Sequence, residues 1–166
     1  MNRKVFDEPA ALSSVAAFHE VFDLPVLGGP AIPDAKRCEL RIALLQEELN
    51  ELKEAVENQD IVGIADALSD LQYVLSGAVL EFGLGAKFKH LFDEVQRSNM
   101  SKTCKSLDEA IATQAYYSEH KETESFIEEK NGEFLVFRAT DRKVLKSLKY
   151  SEADLHSIIH GDTNTL

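Results

Sequence analysis

The amino-acid sequence predicts a mostly α-helical bundle with a small C-terminal β-hairpin, and three observations carry that prediction. Apolar residues recur at helical spacing through "LRIALLQEELNELKEAVENQDIVGIADALSDLQYVLSGAVLE", interrupted at "NQD". Proline and glycine are concentrated in connections, with three of the four prolines inside "DLPVLGGPAIPD" (23–34). Late in the chain the period shortens from helical to alternating, in "GEFLVFRA" and "KVLKSLKY" around "TDR".

Taken in order, "PAALSSVAAFHEVF" (9–22) predicts a short helix with Pro9 in its first turn. Asp34 is placed to cap a second helix reaching about residue 57, and Asp60 to cap a third over 61–82. "GLG" (83–85) supplies that helix's stop signal. A fourth helix covers 87–97 and ends in the polar loop "RSNMSK". Ser106 and Glu109 have the capping-box spacing for a fifth, over 106–119. "GEFLVFRA" and "KVLKSLKY" are expected to pair as the hairpin, before a short helix in "SEADLHSIIH". The expected organisation is one domain: a helical core over 1–122, and an extension of it over 123–166.

The chain has 166 residues and a formal net charge of −11. That charge argues against a nucleic-acid partner, since a polyanion would be repelled. No apolar run approaches a membrane span, and no apolar segment follows the basic N-terminus as in a signal peptide. Cys38 and Cys104 form neither a metal-ligand spacing nor a disulfide framework. A reduced, cytoplasmic chain with no membrane partner is the expectation.

The chemistry is concentrated in the second and third helices. At about 100° per residue, Leu44, Leu45, Leu52, Ala55 and Val56 fall on both sides of Glu48, so this carboxylate sits inside an apolar stripe. Glu51 lies one turn along the same face, whereas Glu47, Glu54 and Glu57 point elsewhere. Asp66 and Asp70 share a face of the nearly all-apolar third helix, and no lysine or arginine occurs between Glu54 and Ala86. A short turn would pack the two helices antiparallel and bring the four carboxylates together. Four hard oxygen donors suit Mg²⁺, with Mn²⁺ as the alternative. Arg41, projecting to the same side, offers a different solution as a buried partner of Glu48.

These motifs resemble the all-α NTP pyrophosphatases, the superfamily of MazG proteins, dimeric dUTPases and phosphoribosyl-ATP pyrophosphohydrolase. "RIALLQEELNEL", "IADALSDLQYVLSG", "LFDEVQRSNMSK" and "KVLKSLKY" occur in the order found in its MazG-like members, over about residues 15–155. The resemblance implies hydrolysis of a nucleoside triphosphate to the monophosphate and pyrophosphate. It implies that Glu48 and Glu51 act as EExxE metal ligands and Asp70 as the aspartate of ExxD. Glu47 or Glu51 is the expected base or water-orienting group. The glutamate position of ExxD is Ala67, and the nearby acid is Asp66, giving DxxxD. Arg97, Asn99 and Lys102, with Lys143 and Lys146, are the expected phosphate-binding residues. Phe18 and Tyr73 have the chemistry to stack on a base, but their helical spacing reads more simply as core, while His19, with no nucleophile or acid positioned beside it, reads as surface or packing rather than catalytic. Related proteins are dimers or tetramers, so a homodimer or homotetramer is expected. The competing reading is a non-catalytic oligomeric binding module, its acids holding a structural metal or pairing with arginines.

Overall fold

The computed structural model describes residues 4–161, which form six α-helices and one two-stranded antiparallel sheet. The helices are α1 (Ala11–Val21), α2 (Ala35–Glu57), α3 (Ile61–Glu81), α4 (Phe88–Met100), α5 (Leu107–Lys121) and α6 (Leu155–His160). The strands are β1 (Ser125–Lys130) and β2 (Glu133–Arg138). Among the described residues no helix is long and apolar enough to cross a membrane. The backbone forms two compact units, one ending at Phe88 and one starting at Lys89. They part earlier than the helix-to-strand change at residue 122, because α5 packs on β1 and β2.

In the first unit α3 is the central helix, packed by both α1 and α2. Asp34 accepts from the Arg37 amide at 3.1 Å and Asp60 from the Val62 amide at 3.0 Å, so both expected N-caps form. Arg41 near the start of α2 reaches Glu81 at the end of α3, while Gly63 at the start of α3 lies against Ala55 near the end of α2. The two helices are therefore antiparallel. The loop between α1 and α2 folds over the end of α3, where Leu27 and Ala31 amides donate to the Leu80 and Phe82 carbonyls. Gly83 ends α3 with φ +67°, and a Cβ there would lie 1.8 Å from the Gly29 carbonyl oxygen. Only glycine fits both that conformation and that contact.

Helical geometry gives the α2–α3 pair two distinct sides. Ile42, Leu49 and Val56 on α2, and Ile61, Leu68 and Leu75 on α3, recur every seven residues and are exposed. Each stripe is rotated about 100° from its helix's contact line in the same sense. In an antiparallel pair, equal rotation puts both stripes on one side. The third helix is thus not buried on most sides as its composition suggests. Ala67 and Ser76–Glu81 are buried, while Ile61, Val62, Leu68 and Leu75 face outward.

In the second unit Cys104, Ala110, Val136 and Leu145 form a core with Tyr117, Ile127 and Phe134 packed on it. Ser106 caps α5 by accepting from the Glu109 amide at 3.2 Å. The Glu109 carboxylate accepts from the Lys105 amide, one residue before the cap.

The hairpin differs from the sequence expectation. β2 pairs with "SFIEEK" before it, through an Asn131–Gly132 turn with φ of +58° and +78°. Two consecutive left-handed residues match the right-handed twist of the flanking strands, and Asn-Gly is the pair best suited to that turn. "KVLKSLKY" is not a strand. It meets β2 through a single bridge, Phe137 to Val144, so Lys143 and Lys146 lie in an irregular segment.

Candidate active site

The three-residue turn at "NQD" sets the register of α2 and α3, and with it the acidic side of the pair. Glu47 and Glu51 on α2, and Asp66 and Asp70 on α3, are rotated about 60–100° from the contact line, opposite to the apolar stripes. Glu48 lies on the contact line itself and is half-buried, whereas Glu47, Glu51, Asp66 and Asp70 are exposed. The expectation of four carboxylates on core-facing surfaces therefore holds in part for Glu48 alone.

The electrostatics show that these acids share one neighbourhood. Partial burial pushes the Glu48 carboxyl above its ordinary value, and the charges of Glu51, Asp70, Glu47 and Asp66 push it further the same way. No cation acts against them. None of Glu48, Glu51, Asp66 and Asp70 forms an ion pair with a described residue. Ala67, at the position matched to the ExxD glutamate, is 2% exposed and packs between the helices. Asp66 instead stands on the acidic side, where its charge reaches Glu48.

This donor set has the chemistry of a hard divalent cation site, all-oxygen and un-neutralised. Its side chains are not gathered around a point: among the described residues no three His, Cys, Asp or Glu groups are close enough to hold an ion.

A pH dependence follows from Glu48. Its folded-state pKa is raised, so it favours the folded chain below the ordinary glutamate range, and this contribution is lost as pH rises through the raised value. In the metal-free chain Glu48→Gln should therefore gain melting temperature over wild type as pH rises from about 4 to 7. Added Mg²⁺ should narrow the difference. A pH-independent offset would contradict the shared field at Glu48.

Farther along the α2–α3 pair, toward the start of α2 and the end of α3, lies a buried ion cluster, for which spacing gave no signal. Glu81 is 1% exposed and accepts from Arg37, through Nε at 3.0 Å and through Nη2, and from Arg41 through Nη2. Burial works against the Glu81 charge, but the hydrogen bonds from Arg41 and Arg37 outweigh it and hold the carboxyl below its usual range. Arg41 is 7% exposed and is thus the partner of Glu81, not of Glu48. His19, 1% exposed, is 3.3 Å from Arg41 through Nε2, and its Nδ1 donates to the Pro25 carbonyl at 2.9 Å. A Cβ on Gly77 would come within 2.6 Å of the Arg41 guanidinium, so the missing side chain makes room for the arginine.

The expected phosphate-binding residues belong to the second unit. Arg97 forks onto Glu94 at 2.7 and 2.8 Å and also donates to the Glu152 carbonyl at 2.8 Å. Those bonds, with an amide bond from Asp154, lower the Glu94 pKa to about 2. Lys102 donates to Asn99 at 2.7 Å, so these two side chains form one exposed-to-half-buried pair. The Lys146 ammonium lies 4.1 Å from the Tyr150 ring centre and 3.9 Å from Glu152. Lys143 is exposed, and its carbonyl accepts from the Arg138 amide.

A protein of Acanthamoeba polyphaga mimivirus, itself described as uncharacterized, is 26% identical over 100 residues. That match covers 59% of this chain and 36% of the viral protein, so the chain spans little more than a third of this relative. The family model for phosphoribosyl-ATP pyrophosphohydrolase matches residues 15–99, including α2, α3 and every acid that acts on Glu48. The chain belongs to the phosphoribosyl-ATP pyrophosphohydrolase family, within the all-α NTP pyrophosphatase superfamily.

Proposed function

We propose that the chain is a metal-dependent nucleoside triphosphate pyrophosphohydrolase that converts a (d)NTP and water to the (d)NMP and pyrophosphate. The observation that carries this reading is the convergence of four acidic charges on Glu48 with no opposing cation. Glu48, Glu51, Asp66 and Asp70 are the residues that would hold Mg²⁺ or Mn²⁺. What such a cation supplies when bound is neutralisation of phosphate charge and a lower pKa for water. The chain's own contribution is a proton acceptor. As the water oxygen bonds to phosphorus and the bond to pyrophosphate breaks, Glu47 or Glu51 takes the released proton. Asn99 and Lys102 are assigned to phosphate binding on the strength of their motif.

Pyrophosphate release from a panel of NTPs and dNTPs, with Mg²⁺, Mn²⁺ or EDTA, tests the reading. Metal-dependent release of equal amounts of pyrophosphate and monophosphate is expected. Silence across the panel, with melting temperature still raised by metal, would instead favour a non-catalytic binding module. Buried Ala67 in place of the ExxD glutamate is the feature that supports this second reading.

The exposed heptad stripes are assigned to a second copy of the chain, giving a homodimer or homotetramer. Gln46 and Gln72 flank them, and the nearest charges, Lys53 and Glu57, pair with each other at 3.8 Å, so an acidic chain can approach its twin there with little charge repulsion. Leu49→Glu should lower the molar mass measured by light scattering to that of the monomer. An unchanged mass would move the interface elsewhere.

A further inference from the structure

A cavity of about 270 Å³ opens between α1, α2 and α3 beside the buried ion cluster. Phe18 and Tyr73 meet on its wall edge to face, with ring centres 5.7 Å apart, and Leu40 is among its apolar lining residues. Both rings are more than a third exposed, so they are not the core residues that their spacing suggests. Leu44 and Val74 also line the cavity. Leu44 precedes Glu48 by four residues and Val74 follows Asp70 by four, so the cavity lies about 6 Å along both helices from the carboxylates. A sugar bridges that kind of gap between a base and its 5′-phosphate.

The polar lining is one-sided. Arg37, Arg41 and His19 line the cavity. A carbonyl only accepts, so His19 Nδ1 carries the hydrogen bonded to Pro25, and Nε2 presents its lone pair to Arg41. The Glu81 oxygens are already engaged by both guanidiniums. Apart from the Tyr73 hydroxyl, which can donate or accept, the acceptors are engaged while donors are in surplus, and the buried Nε–H of Arg41 has no acceptor at all. A ligand suited to these walls is flat, apolar on its faces and rich in acceptors at its edge. The volume lies below the usual range for drug-sized ligands and has room for a single nucleobase.

We propose that this cavity receives the base of a diketo pyrimidine nucleotide, of the uracil or thymine type, with Arg37 and Arg41 as its specificity-determining donors. The proposal rests on the pyrophosphohydrolase reading for the identity of the substrate, but its test does not need turnover. Methyl NMR of the metal-free full chain, titrated with uridine, cytidine and guanosine, reads Leu40, Leu44 and Val74 directly. Uridine should shift these methyl signals, and cytidine, which brings an amino donor to a donor-lined wall, should bind at least about tenfold more weakly. Leu40→Trp, at a rim position that is 41% exposed, should fill the cavity and abolish the uridine shifts while leaving the rest of the spectrum folded. Preference for guanosine, no response to any nucleoside, or undiminished uridine binding by Leu40→Trp would each overturn the proposal. Uridine binding without pyrophosphate release would defeat the reaction and leave the cavity assignment standing. Pyrophosphate release with none of these methyl shifts would do the reverse.

Discussion

Glu81→Leu is expected to lower the unfolding free energy by about 3–5 kcal/mol, the scale for a buried ion pair stripped of one partner. Two guanidiniums meet on this carboxylate, and removing it leaves Arg41 charged, 7% exposed and without its counter-ion. Glu81→Gln keeps a carbonyl acceptor and should cost less. Because the folded-state pKa of Glu81 is lowered, the stability it contributes is present above the ordinary glutamate range and lost as pH falls through the lowered value. Urea unfolding at neutral pH measures the effect. A loss within the range of an ordinary surface substitution, about 0.5 kcal/mol, would mean that the cluster holds nothing together. Replacing Arg37, Arg41 and Glu81 together by apolar residues of similar volume should recover much of the loss, since it also removes the cost of burying the charges.

Asp70→Asn should lower metal-dependent turnover by more than about a hundredfold, since losing even a second-shell metal contact commonly costs ten- to a hundredfold. Asp70 is exposed and unpaired, and its charge adds to the repulsion at Glu48, so the metal-free variant should keep its fold and lose none of its melting temperature. The two effects separate the roles of Asp70 and Glu81. One variant should be inactive and stable, and the other destabilised whatever the substrate. Retained activity in Asp70→Asn would remove this residue from the site and leave DxxxD without catalytic meaning.

The helices were legible because their signals are local. Asp34, Asp60 and Ser106 each bond an amide two or three residues ahead, and such a cap can be read directly along the chain. The acidic side was legible for a related reason, as a short turn fixes how two consecutive helices face each other. The Glu81 cluster was not. Its arginines are 40 and 44 residues away, and no periodicity marks Glu81 as buried rather than as the last polar residue of an apolar helix. The hairpin was misread although Asn131–Gly132 is a strong turn signal. "TDR" also offers a loop between alternating segments, and only tertiary packing shows that Val144 adds a single bridge. Exposure of Ile61, Leu68 and Leu75 likewise depends on which side of α3 the other helices occupy, which composition does not encode.

Gly77 carries a consequence for how this chain can change over time. The space left by its absent side chain is occupied by Arg41, which binds α2 to α3 through Glu81 and also lines the cavity assigned to the base. Selectivity and rigidity therefore draw on one side chain. A lineage drifting toward another base through position 41 would first have to tolerate a less stable fold. Substitutions at the rim, such as at Leu40 or Tyr73, give a route around that conflict, so divergence in substrate choice should accumulate there first.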